Sequence, residues 1–404
     1  MEPKTPTYTE VVINRNLPGD LDTLTYKEGK ISLTPGQTVW VPFRNSKVAA
    51  LVLSVSKKMP SYKTREVLDP IRENPLLSPW QIKLAEWISS YYFAPMSSII
   101  PMFLPKKIWE GKTIRQPKTK PLKKIRAKLE IVKLTKAQSE IVSAIQKNPK
   151  GIFLIHGVTG SGKTEIYLRL VKEEIKKGRQ SLLLVPEIAL TPQLIDYFQK
   201  HFDMPISVIH SKLSEGERQK EWLAIHSNAS KIIIGSRSSL FSPFQDLGLI
   251  VMDEEHEWNY KQADKTPSYH CREVIKKMNE LLGCTVVMGS ATPSVETYYA
   301  AADSKNKDVT LCEMPERIGH DVRGMPKTTL VDLREEMQKG NFSILSDLLR
   351  SKLAETLARG EQAILFINRR GVSPATLCRD CGFVVRCNEC RVAMVLHKKI
   401  ENCL

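Results

Sequence analysis

The stretch that decides the fold is Gly157-Val158-Thr159-Gly160-Ser161-Gly162-Lys163-Thr164, which fits the phosphate-binding loop pattern G-x-x-x-x-G-K-[ST]. An apolar segment, 151–155, precedes it, and a segment with helical periodicity, 164–177, follows it. Its glycines (Gly157, Gly160 and Gly162) let backbone N–H groups converge on phosphate oxygens without Cβ clashes. Lys163 is predicted to neutralise the β- and γ-phosphates of ATP, and Thr164 to bind Mg²⁺. The alternative is a glycine-rich turn without a ligand, but it leaves the flanking strand and helix unexplained.

An acidic motif, Asp253-Glu254-Glu255-His256, follows the apolar run 247–252. Asp253 is predicted to hold Mg²⁺, and Glu254 to polarise the attacking water. Adjacent carboxylates usually belong to a solvated surface. These follow a strand that reads as buried, where an unpaired acid is costly. The phosphate loop and the acidic motif together make ATP hydrolysis the leading hypothesis.

Two other segments read as parts of the same site. Gln138, shortly before the loop, offers a donor and an acceptor that could read an adenine edge, or it is an ordinary helix-surface residue. The segment 289–294 follows a strand and carries the hydroxyls of Ser290 and Thr292. We expect these hydroxyls, with His256, to couple the nucleotide site to a second lobe.

The whole chain favours a polyanionic partner. It has 404 residues, a formal net charge of +16 and a pI of about 9.4, with an ordinary apolar fraction of 42%. The alternative is a merely basic protein, but the motifs point to nucleic acid. The start carries no secretory pattern, and no apolar run is long enough for a membrane span. We therefore expect a cytoplasmic protein, a monomer without a membrane partner.

The pattern divides the chain into five segments. Residues 1–105 read as mostly β, with strands at 11–13, 37–41 and 48–55, and then a helix at 81–92. Residues 106–130 form a basic linker, either a solvated tether or a non-specific phosphate contact. Residues 131–325 alternate strand and helix, as a doubly wound parallel sheet does. A second lobe starts at 326–377, with a strand at 363–367, and a cysteine-rich module occupies 378–404.

Four cysteines, Cys378, Cys381, Cys387 and Cys390, form the pattern C-x₂-C-x₅-C-x₂-C. Paired knuckles of this kind predict zinc, because each turn can present two thiolates to one ion. The alternative is unpaired structural thiols. Whether the four share one zinc, or each pair needs a distant pair, stays open. Cys271, Cys284 and Cys312 are scattered and read as small buried residues.

The motif series resembles that of the PriA family, the bacterial replication-restart helicases of superfamily 2, also called primosomal protein N′. The resemblance rests on 157–167, 185–193, 210–218, 235–244, 253–256, 289–293 and 366–371, with the cysteine cluster directly after. It implies a RecA-like P-loop lobe between a small 3′-end DNA-binding domain and a partial second lobe with a zinc module. It also implies a 3′-to-5′ DNA helicase that recognises stalled forks and initiates primosome assembly, with single-strand DNA-binding protein and primosome proteins as partners.

The resemblance also suggests DNA contacts. The segment 258–272 matches the family's aromatic-rich loop, which couples DNA contact to hydrolysis. The rings of Trp258 and Tyr260 can stack on bases, while Lys261 and Arg272 hold phosphates; the alternative is an aromatic cluster packed under a loop. Asp22 falls where the family's pocket aspartate accepts the 3′-hydroxyl. Leu21 and Arg44 stand where an aromatic residue and a glycine are usual, so the details of this pocket differ.

Two departures from the family pattern are larger. The interval 106–133 is too short and too basic for the family's winged-helix domain, and the family's late second-lobe motifs do not appear before Leu404. We therefore expect a truncated chain. In that form an alternative function is a DNA- and ATP-binding module without motor activity, because an absent arginine finger costs about three or more orders of magnitude in rate.

Overall fold

The computed structural model describes residues 6–15, 17, 22–29, 31–112, 132–187, 189–190, 192–303, 308–318, 327–366, 383–389 and 391. The chain divides into two compact units, 1–320 and 321–404. Within the described ranges, no helix is both long and apolar enough to cross a bilayer.

The N-terminal domain is built on a five-stranded antiparallel sheet in the order β2-β1-β4-β3-β5. The predicted strands at 11–13, 37–41 and 48–55 are confirmed. The other two strands of this sheet are short and show no clear alternation of apolar and polar residues. The strands are β1 Tyr8–Ile13, β2 Leu24–Lys27, β3 Thr38–Phe43, β4 Ser46–Ser56 and β5 Asp69–Pro70. The long β4 is the central strand because its continuous apolar run is buried on both faces.

Three helices follow this sheet: α1 Pro79–Tyr92, α2 Met96–Phe103 and α3 Lys106–Trp109. The predicted helix at 81–92 is confirmed as α1, where the backbone N–H of Ser78 donates to Oε1 of Gln81 over 3.0 Å. The start of the predicted linker differs from expectation, because Ile108 and Trp109 are fully buried. Two large apolar side chains hold this turn against the core despite the surrounding lysines. Residues 113–130 of the predicted linker lie outside the described residues.

The second sheet has seven parallel strands in the order β12-β6-β11-β10-β7-β9-β8. Its strands are β6 Ile152–Gly157, β7 Gln180–Leu184, β8 Ile206–Ile209, β9 Ile232–Gly235, β10 Leu247–Asp253, β11 Thr285–Ser290 and β12 Thr310–Met314. The helices between them are α4 Lys136–Lys147, α5 Lys163–Lys176, α6 Pro192–His201, α7 Glu215–His226, α8 Cys271–Leu282 and α9 Val295–Ala302. The predicted doubly wound parallel sheet is confirmed.

Successive residues of the central strands enter two separate hydrophobic clusters. Leu182 and Leu184 belong to the cluster that contains α1, α2 and α8, whereas Leu183 belongs to the one that contains α4 and α5. Alternation of this kind means that both faces of the sheet are covered. The N-terminal helices thus form part of the layer on one face. Trp222 of α7 ties this layer together by donating from Nε1 to the Phe103 carbonyl over 2.8 Å.

The second unit contains α10 Leu333–Gln338 and α11 Asp347–Ala358. The prediction of a strand at 363–367 is wrong for 363–366, which form no strand, and residue 367 lies outside the described range. Ile364 and Phe366 are exposed by 96% and 86%. An apolar run becomes a strand only when a neighbouring strand pairs with it, and none does so in the described part of this unit.

Candidate nucleotide site and its connections

The predicted site residues meet at the carboxyl edge of the parallel sheet. In the sheet order, β11 lies between β6 and β10, and Gly289 is in register with both Ile155 and Asp253. Ligands of open α/β sheets bind at this edge. The loops after β6, β10 and β11 carry the phosphate loop, the acidic motif and the segment 289–294, so the three motifs surround one place.

The phosphate loop has the backbone that an anion cradle requires. Gly160 and Gly162 have φ angles of +81° and +79°, a region that side chains rarely adopt. A Cβ at Gly157 would lie 2.7 Å from the Ser161 hydroxyl. The helix α5 begins at Lys163, whose Nζ donates to the Gly157 carbonyl over 2.7 Å, and Thr164 is half-buried beside it. The positive end of a 14-residue helix and a lysine thus face the loop.

Gln138 lies against the phosphate loop with its amide already hydrogen-bonded. It is buried, accepts at Oε1 from the Thr135 backbone over 2.9 Å, and donates from Nε2 to the Gly162 carbonyl over 3.1 Å. The sequence left open an adenine reader or a surface residue. The structure shows a third role, because this side chain closes the helix start of α4 and braces the loop.

Asp253 ends β10 and is half-buried. Burial raises the pKa of this carboxyl, and the Tyr167 hydroxyl, which donates to Oδ1 over 2.9 Å, opposes that shift. Tyr167 was not predicted. The available signal was its position four residues after Lys163, on the same face of α5. Gly289 leaves room for this contact, since a Cβ there would lie 1.8 Å from the Tyr167 hydroxyl. Tyr167 therefore fixes the predicted Mg²⁺ ligand.

Glu254 leaves the strand in a different direction from Asp253. Its φ angle is +47°, an uncommon value for a residue with a side chain, and its side chain is 40% exposed. Its carboxylate lies 3.7 Å from Nδ1 of His256. An accessible carboxylate at the sheet edge, next to one that the Tyr167 hydroxyl holds in place, suits the two separate tasks predicted for this pair.

The three predicted coupling residues are brought together. Nδ1 of His256 lies 2.7 Å from the Ser290 hydroxyl, which also accepts from the Thr292 backbone over 3.0 Å. The acidic motif and the segment after β11 are therefore joined by direct hydrogen bonds beside the predicted water-activating residue.

Glu255, for which no role was predicted, is the most buried member of the acidic motif. Its carboxylate accepts from the Ser294 backbone over 2.6 Å and from the Thr297 hydroxyl over 3.2 Å. Its side chain has no exposure and lies 3.7 Å from Nη1 of Arg272. A buried charge requires such partners. This network connects β10, the start of α8 and the start of α9.

Two of the predicted DNA-contacting side chains lie inside the protein. Arg272 is only 13% exposed, and its Nη1 donates to the hydroxyls of Ser294 and Thr297. Tyr260 is buried and donates to the Asp253 carbonyl over 2.7 Å. Pairing with a buried carboxylate and packing under the loop override the basic-aromatic pattern here. The packed aromatic cluster that the sequence left as an alternative therefore describes Tyr260.

The other predicted contacts are accessible. Trp258 is 72% exposed, and Lys261 is exposed with its Nζ 5.6 Å from the Tyr92 ring centre. The opposite end of the same loop is fixed, because Tyr92 accepts at its hydroxyl from the His270 backbone over 3.1 Å. Burial, and then the neighbouring Arg272, lower the pKa of His270 to about 4. The aromatic-rich loop thus has an exposed tip and a base attached to the Glu255 network.

Asp22 connects the two parts of the N-terminal domain. It is half-buried, and its Oδ1 accepts from the Met96 backbone at the start of α2 over 2.6 Å. One oxygen of the predicted 3′-hydroxyl acceptor is therefore fixed by the backbone. Such a bond holds the carboxylate in place.

Of the four predicted zinc ligands, the structure describes Cys387 alone. Cys378, Cys381 and Cys390 are outside the described residues, and Cys387 is half-buried. Within the described part of the chain, no group of three or more His, Cys, Asp or Glu residues is placed to hold a metal ion. Cys271, Cys284 and Cys312 are buried in the first unit. Burial raises the pKa of the Cys284 thiol to about 12, as expected for an inert core cysteine.

Comparison with known proteins agrees with this architecture. Residues 135–300 match the DEAD/DEAH box helicase family, so the parallel sheet with its phosphate loop and acidic motif is a helicase domain of that class. Residues 10–105 match the 3′ DNA-binding domain of PriA. Among solved structures, RecG bound to a three-way DNA junction is similar with a TM-score of 0.35 and 21% identity, over 47% of this chain and 25% of that one.

Curated relatives agree on one family. The replication restart protein PriA of Bacillus subtilis is 47% identical over 247 residues, which is 61% of this chain and 30% of that protein. PriA of Rickettsia prowazekii is 35% identical over 374 residues, 91% of this chain and 55% of that protein. The chain belongs to the PriA family of replication restart proteins. It spans about half, or less, of the length of these relatives.

Proposed function

We propose that this chain is an ATP-dependent 3′-to-5′ DNA helicase that recognises stalled replication forks and initiates primosome assembly. The observation that carries the proposal is the meeting of Lys163, Asp253 and Glu254 at one sheet edge, in a chain whose N-terminal domain matches a 3′ DNA-binding domain. A cytoplasmic location and a monomeric state are part of the same proposal.

Different residues of the nucleotide site carry out different parts of the proposed ATP hydrolysis. The phosphate loop and the dipole of α5 hold the triphosphate, while Lys163 stabilises the charge that develops on the transferred phosphoryl group. Glu254 orients the attacking water and accepts its proton. Thr164 and Asp253 would hold Mg²⁺, which would supply positive charge to offset that of the triphosphate. Tyr167 keeps the Asp253 carboxylate in position.

The proposed coupling between ATP hydrolysis and DNA binding runs through side chains that are hydrogen-bonded to one another. Trp258, at the exposed tip of the aromatic-rich loop, is a surface on which a base can stack. The base of that loop carries Arg272, which is bonded to the same hydroxyls as the Glu255 carboxylate. A shift of the loop on DNA binding therefore acts on the residue next to Glu254.

Zinc and the protein partners complete the proposal. Cys378, Cys381, Cys387 and Cys390 would hold Zn²⁺ as thiolates, and this module would serve primosome assembly. Single-strand DNA-binding protein and primosome proteins are the proposed partners. Both parts rest on the sequence pattern and on membership of the PriA family.

The proposed 3′-end recognition gives a test at Asp22. A carboxylate accepts a hydrogen bond from a 3′-hydroxyl and repels a 3′-phosphate. We expect forked DNA with a 3′-hydroxyl to bind about tenfold more tightly than the same fork with a 3′-phosphate, since one such interaction contributes about 1.5 kcal/mol. Fluorescence anisotropy with both forks measures the difference.

The matched variant is Asp22→Asn, whose amide oxygen can still accept from the Met96 backbone. We expect it to remain folded and to lose most of the preference. Equal affinity of the unmodified protein for the two forks would contradict 3′-end recognition.

A further inference from the structure

A cavity of about 440 Å³ lies between the N-terminal domain and helix α7 of the helicase domain. Its walls come from the loop 72–76, from Ile108 of α3 and from Trp222, Leu223 and His226 of α7. This volume is in the range of small-ligand sites. None of the residues assigned above to the nucleotide site or to 3′-end recognition lines it.

Arg72 brings a cation to this cavity. Its Nε is buried and has no hydrogen-bond partner in the described part of the chain. Its backbone is fixed, because Gln37 donates from Nε2 to the Arg72 carbonyl over 3.3 Å. Of the groups that could enter the cavity, a phosphate is the one that a guanidinium matches best.

An aromatic stack stands beside this cation. The ring of His226 lies parallel to that of Trp222, with centres 4.8 Å apart and planes 14° apart. The hydrogen bond from Trp222 to the Phe103 carbonyl fixes the inner ring of the stack. Burial, and then Arg72, lower the pKa of His226. A base placed on His226 would extend the stack by one ring.

The remaining polar residues of the cavity can bind the base. Glu73 and Asn74 line it and can accept hydrogen bonds from the amino groups of a nucleobase. The ligand chemistry that fits is an anion joined to a flat ring with amino donors, which describes a nucleotide.

We propose that this cavity is an accessory site for one nucleotide of single-stranded DNA, with a phosphate on Arg72 and its base on His226. The inference rests on the proposed DNA-binding function and extends it to a place that neither the nucleotide site nor the aromatic-rich loop occupies. Because both domains contribute walls, a strand held there contacts the N-terminal domain and the helicase domain together.

The test measures binding of a fluorescein-labelled 15-residue deoxyadenosine oligonucleotide by anisotropy at several salt concentrations. Arg72→Ala should weaken binding and lower the slope of log affinity against log salt by about 0.7, the value for one lost phosphate contact. Lys220→Ala is the matched control, since Lys220 is an exposed cation on α7 outside the cavity. We expect it to leave affinity and slope nearly unchanged.

A second pair of variants in the same binding assay tests whether a base stacks on His226. His226→Ala should weaken binding about fivefold or more, whereas His226→Phe, which keeps a flat ring, should retain most of the affinity. Thermal melting confirms that each variant is folded, and ATP turnover without DNA should match the unmodified protein.

Equal affinity and slope for Arg72→Ala, His226→Ala and Lys220→Ala would overturn the site, and DNA-stimulated ATP turnover would show that the proposed function still stands. An unmodified protein that binds no single-stranded DNA would overturn both.

Discussion

Replacement of Lys163 by alanine is expected to lower ATP turnover by about a hundredfold to a thousandfold, the usual effect of removing one group that stabilises transition-state charge. Lys163 stands at the start of α5 and already reaches back to the Gly157 carbonyl over 2.7 Å. Alanine keeps the helix and removes only the cation. Turnover measured at saturating ATP and Mg²⁺ gives the effect.

The control is Lys172→Ala, because Lys172 is an exposed lysine on the same helix. We expect this variant to hydrolyse ATP like the unmodified protein. If Lys163→Ala retained the turnover of Lys172→Ala, the nucleotide would be bound elsewhere and the proposed site would be wrong.

Replacement of Arg272 by alanine is expected to lower the free energy of unfolding by about 3–5 kcal/mol, because it leaves the Glu255 carboxylate buried without its cation. Glu255 has no side-chain exposure and Arg272 has 13%, so solvent screens this ion pair little. The measurement is urea unfolding followed by tryptophan fluorescence.

Two further variants separate charge from packing. Lys276→Ala on the same helix breaks the surface pair with Glu273 and should cost about 0–1 kcal/mol. Glu255→Gln added to Arg272→Ala removes the unpaired charge and should restore part of the lost stability. Equal unfolding midpoints for Arg272→Ala and Lys276→Ala would show that Arg272 has no structural role in the network.

The sequence predicted the main sheet and the nucleotide site because each depends on local pattern. Continuous apolar strands alternate with amphipathic helices, and Gly160 and Gly162 mark the positive φ angles of the phosphate loop. The carboxyl edge then follows from the topology, which brings Lys163 and Asp253 together although they are ninety positions apart in the chain.

What the sequence could not predict depends on partners distant in the chain. Arg272 was predicted to hold a DNA phosphate, but the fold places it against Glu255. Tyr167 had no predicted role, because only the fold brings its hydroxyl to Asp253. The segment 363–366 reads as a strand because its residues are apolar, but strand formation requires a neighbour. Pairing between distant segments leaves no periodic signal in the sequence.

The most direct test of the account is ATP hydrolysis by this 404-residue chain with and without forked DNA that carries a free 3′ end. The proposed coupling from the aromatic-rich loop through Arg272 and Glu255 predicts that DNA raises turnover severalfold and that Lys163→Ala abolishes the increase. Tight ATP binding with turnover that DNA does not change would contradict it, and would identify the chain as a DNA- and ATP-binding module without motor activity.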